Sequence, residues 1–175
     1  MDNGLAYGRV QLRGVEPEDL ELLYGWENDT SLWESSNTRA PFSKHTLAEY
    51  PRHASYDLYA TRQLRLIIET QEGLPVGADD LYDIDLFHQR AGVGIVIPGS
   101  SDRRHGFASD ALNALEQYAA GVAGLRQLFA CVSEDNGPSI SLFQKAGYQL
   151  TGIRKRWLNT LKGWKDEWFF QKMLV

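Results

Sequence analysis

Gly94-Ile95-Val96-Ile97-Pro98, followed by Arg103-Arg104-His105-Gly106-Phe107-Ala108, carries the architecture of this 175-residue chain. The Val- and Ile-rich run from Gly92 to Ile97 predicts a central strand, which Pro98 ends because proline cannot donate to a sheet ladder. After Gly106 the apolar period changes: Ala108, Ala111, Leu112, Leu115 and Ala119 fall on one helical face, and Gly121 and Gly124 stop the helix. A strand, a glycine-bearing turn and a helix in this order point free N–H groups at one spot, where the positive helix end favours an anion such as a pyrophosphate. Gly106 permits a close approach, and Arg103 and Arg104 would add charge-assisted bonds. On spacing alone the same glycine serves an anion site or a plain turn. Neither G-K-[ST] nor G-x-G-x-x-G is present, so the stretch is not a P-loop or a dinucleotide fingerprint.

Outward from this segment, Gly8 to Arg13 predicts a strand and Glu16-Pro17-Glu18-Asp19 opens a helix to about Asn28. Residues 30 to 43, rich in Ser, Thr, Asn and Pro, read as a loop, and Ser43 caps a helix towards Ser55 interrupted by Pro51. Leu64 to Ile68 and Pro75 to Leu86 predict strands that form a meander with Gly92 to Ile97. On the other side, Gln127 to Val132 is a strand and Pro138 opens a short helix that Gly147 closes. Tyr148 to Trp157 and Trp164 to Leu174, joined by Asn159 to Gly163, read as a closing antiparallel hairpin. With no repeat or linker, residues 1–175 are expected to form one domain of mixed α/β (α+β) class. Its largely antiparallel sheet becomes locally parallel around the Phe107 helix.

Composition narrows the function. With 43% hydrophobic and 23% charged residues the chain can bury a core without staples. The single cysteine, Cys131, excludes an intramolecular disulfide and a cysteine-rich zinc cage, and it fits a reducing, cytoplasmic setting. Within Leu128-Phe129-Ala130-Cys131-Val132 it reads as a buried inert thiol. Met1-Asp2-Asn3-Gly4 lacks a basic start, and the longest apolar stretch, Ala91 to Gly99, includes Pro98, so neither secretion nor a membrane span is expected. His45, His53, His88 and His105 are scattered without ligand spacing, so no metal is expected. A net charge of −5 disfavours a nucleic-acid face.

Glu16, Glu18, Asp19, Glu21, Glu27, Asp29 and Glu34 follow one another without a Lys or Arg between them, and Asp79, Asp80, Asp83 and Asp85 make a second acidic cluster. Arg154 to Lys172 is basic by contrast. Such runs are either solvated faces or a field that attracts a cation. Trp26 and Trp33 beside the first run either pack or line a pocket for a cationic chain, and Trp157, Trp164 and Trp168 pack the last hairpin or a subunit contact.

Arg103-x-x-Gly106-x-Ala108 resembles the Q/R-x-x-G-x-G/A pyrophosphate motif of the GNAT superfamily of N-acetyltransferases. Asn136-Gly137-Pro138-Ser139-Ile140-Ser141-Leu142-Phe143-Gln144-Lys145-Ala146-Gly147-Tyr148 is similar to that family's N-x-x-S-x-x-L-[YF]-x-K-x-G-[FY] segment. The spacing between the two fits one helix plus one strand, and nearly the whole chain shares the resemblance. Within the superfamily "VGADDLYDID", "GFASDAL" and "SEDN" look most like bacterial spermidine N-acetyltransferases and the ribosomal-protein acetyltransferase group.

The resemblance implies an acyl-CoA N-acyltransferase fold with acetyl-CoA held where two parallel strands, Gly92 to Ile97 and Gln127 to Val132, splay apart. It implies that the backbone of Val96 and Ile97 holds pantetheine and thioester, and that an N–H of this strand stabilises the developing oxyanion. Arg103, Arg104, His105, Gly106, Phe107, Ala108 and Ser109 would take the pyrophosphate, and Asn136 the pantetheine amide. Lys145 either reaches the 3′ phosphate or is plain surface.

The reaction implied is direct attack of a neutral primary amine on the thioester. Asp80 is the candidate base, on one strand face with Tyr82 while Leu81 and Asp83 take the other, although it also reads as a surface acid. Glu34, beside Trp33, is the second catalytic candidate. Phe143 stands where the family often has a Tyr that protonates the thiolate, leaving water or Tyr148 for that step; as a bland alternative it is a core aromatic. The acceptor expected is a cationic amine, a polyamine such as spermidine first, and a homo-oligomer is expected. A protein N-terminus, an antibiotic, or a catalytically weak acyl-CoA or polyamine sensor are the alternatives.

Overall fold

The computed structural model describes residues 5–54 and 58–174, so the Met1 to Gly4 start and Ser55 lie outside the described residues. Strands β1 (Ala6–Tyr7), β2 (Val10–Gly14), β3 (Leu64–Thr70), β4 (Pro75–Asp85), β5 (Arg90–Val96), β6 (Gln127–Ser133), β7 (Gln149–Thr160) and β8 (Gly163–Met173) form one sheet in the order β1-β2-β3-β4-β5-β6-β8-β7. All neighbours are antiparallel except β5 and β6, which the helix α5 (Phe107–Gly121) connects. The meander, the parallel pair and the closing hairpin are thus those the sequence predicts, in an α+β arrangement.

The sheet separates two apolar layers. On one face Leu66, Ile68, Leu81, Val93, Leu128, Ala130 and Phe170 pack with Ala111, Leu112, Leu115 and Ala119, the stripe of α5 read from its period. On the other face a smaller cluster of Val15, Leu23, Leu47 and Ile67 joins the sheet to α1 (Leu20–Glu27) and α3 (Lys44–Ala54). Trp26 packs against that cluster. Ser43 caps α3 as expected, its Oγ accepting from the Thr46 N–H at 3.0 Å. The remaining helices are α2 (Trp33–Ser36), α4 (Leu58–Thr61) and α6 (Gly137–Lys145).

Three local expectations are corrected. The loop expected over residues 30 to 43 contains α2, a single turn that Asn37 ends in the left-handed region at φ 57; such a turn is too short to show an apolar period. The first strand begins at Val10 because Gly8, at φ 57, and Arg9 make the turn out of β1. Asp83, expected on the face of Leu81, instead sits at φ 48 in a bulge where the β4–β5 register shifts, and Ile84 takes the buried place. Among the described residues no helix is long and apolar enough to cross a membrane, and none of their His, Cys, Asp and Glu side chains form a group of three placed to share a metal ion.

Candidate active site

The parallel pairing of β5 and β6 lasts three rungs, Arg90 with Gln127, Ala91 with Leu128 and Gly92 with Phe129. Beyond Gly92 the edge of β5 that faces β6 has no strand partner, although β4 still pairs it on the other side through Val96. The result is a V whose β5 arm offers backbone N–H and C=O groups to whatever enters.

The mouth of the V leads to the turn before α5. Gly106 takes the N-cap position in the left-handed region at φ 84, and no side chain caps the helix. The N–H groups of Phe107, Ala108 and Ser109 therefore lack partners within the helix. Arg103 shapes this turn rather than standing free in it: its Nε donates to the Ile97 carbonyl and its Nη2 to the Pro98 carbonyl, both at 2.9 Å. Arg104 is exposed at φ 65, and the His105 ring contacts the Ser101 carbonyl at 2.9 Å. Arg9 closes the turn from behind, donating from Nη1 to the His105 carbonyl at 2.9 Å and pairing with Asp110. This keeps the one acid of the first helical turn compensated.

On the face opposite α5, the site is made of side chains. Asp80 points here with Tyr82, and both its oxygens accept from Arg65, Oδ1 at 2.7 Å and Oδ2 at 3.0 Å. Arg65 also binds Glu27 at the end of α1. An amine that uses Asp80 as a base must share it with this guanidinium. Glu34 in α2 binds Lys165 of β8, which also pairs with Asp135 at 2.6 Å. The same pattern holds along the acidic run: Asp19 pairs with Arg13 and Glu21 with Lys44. The run that looked uncompensated in the sequence therefore draws its counter-charges from β2, β3, α3 and β8, and only part of its field remains. In the second cluster, Asp85 pairs with Arg90, whereas Asp79 is fully buried on the α5 side with neither oxygen hydrogen-bonded. Burial and the neighbouring Asp80 charge push the Asp79 carboxyl well above the usual range.

The β6 side carries the second motif. Asn136 caps α6, its Oδ1 accepting from the Ser139 N–H at 3.3 Å. Lys145, in the last turn of α6, is exposed. Phe143 is buried, edge-on to Tyr148 at 5.0 Å, and the Tyr148 hydroxyl is buried beside Glu116 of α5. Cys131 is half-buried rather than sealed in the core, with burial raising its thiol above the usual value. Arg154 Nη1 lies 3.6 Å from its sulfur while pairing with Glu167 at 2.6 Å.

Sequence reasoning missed Arg65, Lys165 and the reach of Tyr82. The available signal was a cation in an otherwise apolar strand, in Leu64-Arg65-Leu66-Ile67-Ile68, which needs an acid on its own face.

Residues 9–149 match the family described as acetyltransferase (GNAT) domain. An uncharacterized N-acetyltransferase, p20, of Bacillus licheniformis is 29% identical over 149 residues, which cover 83% of this chain and 82% of that protein. The spermidine N-acetyltransferase from Vibrio cholerae in complex with CoA and spermine superposes with a TM-score of 0.85 at 19% identity, covering 95% of this chain and 96% of that one. A dodecameric structure of spermidine N-acetyltransferase from Vibrio cholerae does so with a TM-score of 0.79 at 20% identity, covering 95% and 94%. At these identities the structures establish a shared fold. The splayed strand pair, the open α5 N-terminus and the sequence match over most of the chain agree, and the protein belongs to the GNAT family as an N-acetyltransferase.

Proposed function

We propose that this enzyme moves the acetyl group of acetyl-CoA to the primary amine of a small cationic molecule, a polyamine such as spermidine first. The observation that carries the reading is the V between β5 and β6 opening onto the uncapped N-terminus of α5, a pair of backbone surfaces that fits an acyl-thioester arm joined to a pyrophosphate. Val96 and Ile97 line the arm with backbone groups, and residues 103–109 take the phosphates, with Arg103 holding the turn in shape. Asn136 and Lys145 flank the α6 side.

For the acceptor, two places on the opposite face already hold a cationic group between carboxylates, Arg65 between Glu27 and Asp80 and Lys165 between Glu34 and Asp135. A chain bearing several ammonium groups suits carboxylates arranged in this way. The likeness to spermidine N-acetyltransferases supports the same choice.

In the proposed chemistry Asp80 removes the proton, directly or through water. An alkylammonium of pKa about 10.4 is neutral in only about one molecule in a few thousand at pH 7. An N–H on the open edge of β5 stabilises the oxyanion as the amine attacks, and the departing thiolate is protonated by water, since Phe143 has no proton to give. A second reading, binding of acyl-CoA and polyamine with slow transfer, is favoured by Phe143. We also propose that it acts in the cytoplasm and self-associates through the β7–β8 hairpin, where Trp157, Leu161 and Trp164 are exposed.

Incubation with acetyl-CoA and an equimolar mixture of spermidine, spermine, a monoamine, an aminoglycoside and an N-terminal peptide, read by mass spectrometry, tests the reading. Acetylated polyamine is the expected product. Acetylation of only the peptide or the aminoglycoside overturns the acceptor, and binding without any product favours the second reading.

A further inference from the structure

On the acceptor-side face β5 presents two glycines in alternate places, Gly92 and Gly94, before Val96. They are not equivalent. A Cβ added to Gly92 would collide with Cε2 and Cζ of Tyr82, so the tyrosine ring already fills the space of that missing side chain. A Cβ added to Gly94 would come no closer than 3.9 Å to Asp80. Tyr82 starts on β4 directly opposite Gly92, crosses above it and meets Phe129 of β6 edge-on at 5.7 Å. Gly92 and Phe129 form the last rung before the strands part. The phenol is thus a crossbar over the closed end of the V, and Gly94, the next place on this face past the last rung, has only Asp80 within 4 Å of where its side chain would stand.

We propose that Tyr82 sets the length of acyl chain the enzyme accepts, bounding the open space above Gly94 so that an acetyl group fits and longer acyl groups meet the ring. The inference rests on the acetyl-CoA reading above and adds to it the basis of donor selectivity. It is steric: packing over Gly92 and against Phe129 holds the ring, and the ring excludes the added methylenes. One methylene misfitted in a pocket is worth roughly 10-fold to 200-fold in discrimination.

The test measures Kd for CoA, acetyl-CoA, propionyl-CoA and butyryl-CoA by calorimetry, with kcat/KM for the three acyl donors, in wild type, Tyr82→Ala, Tyr82→Leu and Tyr82→Phe. In Tyr82→Ala the preference for acetyl-CoA over butyryl-CoA is expected to shrink by about 10-fold or more in both readouts, with CoA affinity unchanged. Tyr82→Leu, which keeps an apolar side chain on the strand if the alanine variant folds poorly, should move the same way. Tyr82→Phe should keep the wild-type preference. An unchanged preference in the alanine or leucine variant, with CoA still bound, overturns the inference and leaves the acetyl-CoA reading intact. Loss of kcat in Tyr82→Phe equal to that in Tyr82→Ala overturns it in favour of a role for the hydroxyl. Failure of the wild type to bind CoA at all removes the acetyl-CoA reading and this inference with it.

Discussion

The two faces of the V are built by different means. The proposed donor side, β5 and the first turn of α5, is backbone: a strand edge left open past Gly92 and helix N–H groups left uncapped at Gly106. The proposed acceptor side is side chains brought from far apart in the sequence, Glu27 and Asp80 through Arg65, and Glu34 and Asp135 through Lys165. Backbone sites are set by local sequence, since a strand, a glycine and a helix suffice. Side-chain sites need the tertiary fold first. Chemistry common to a family can therefore sit on the first, while selectivity for an acceptor sits on the second.

The largest expected break between the sides comes from Asp80→Asn. Turnover at saturating acceptor should fall by about 100-fold to 10,000-fold, the range for a lost general base, with the CoA Kd unchanged. An unaltered pH–rate profile in that variant would mean that the base is elsewhere. Gly106→Val breaks the other side. It forces a β-branched residue into φ 84 and against Arg9, so CoA affinity should fall by about 10-fold or more, with a stability loss of about 1–2 kcal/mol and the affinity for the amine retained.

Next in size are two acids that pull stability in opposite directions with pH. The Asp19 carboxyl is held below the usual range chiefly by its hydrogen bonds to Arg13, so its contribution is present above the ordinary carboxylate pKa and lost as pH falls through the depressed value. Asp79 is held above that range by burial, so it favours the folded state below the ordinary pKa and loses that advantage as pH rises towards its elevated value. Denaturation curves at pH 4 and pH 7 should therefore show Asp19→Asn most damaging at pH 7, by about 2 kcal/mol, and Asp79→Asn relatively more stable there than wild type. The smallest effect is that of salt. Because several acids of the 16–34 run already hold cations, added salt should raise the KM of a polyamine only about threefold, though more than that of a neutral acceptor. A loss of ten times that size would show a largely uncompensated field.

The same division explains what the sequence disclosed. The meander, the α5 stripe and the glycine turn before α5 rest on period, proline and glycine, all read within a dozen residues, and they stand as predicted. The pairing of the seven-acid run is not legible in its own stretch because its cations Arg13, Arg65 and Lys165 lie on other strands. Arg103 looked like a free phosphate ligand because its carbonyl partners at Ile97 and Pro98 become neighbours only when the turn folds back. Tyr82 lies on the face that strand alternation predicts, but its reach over Gly92 to Phe129 depends on how three strands align.

Hydrogen–deuterium exchange with and without CoA tests the donor site most directly. Exchange at the amides of Val93 to Ile97 and Gly106 to Ser109 should slow on binding, while α1 and α2 change little. CoA binding without slowing in those two segments would contradict the placement of the donor in the V between β5 and β6.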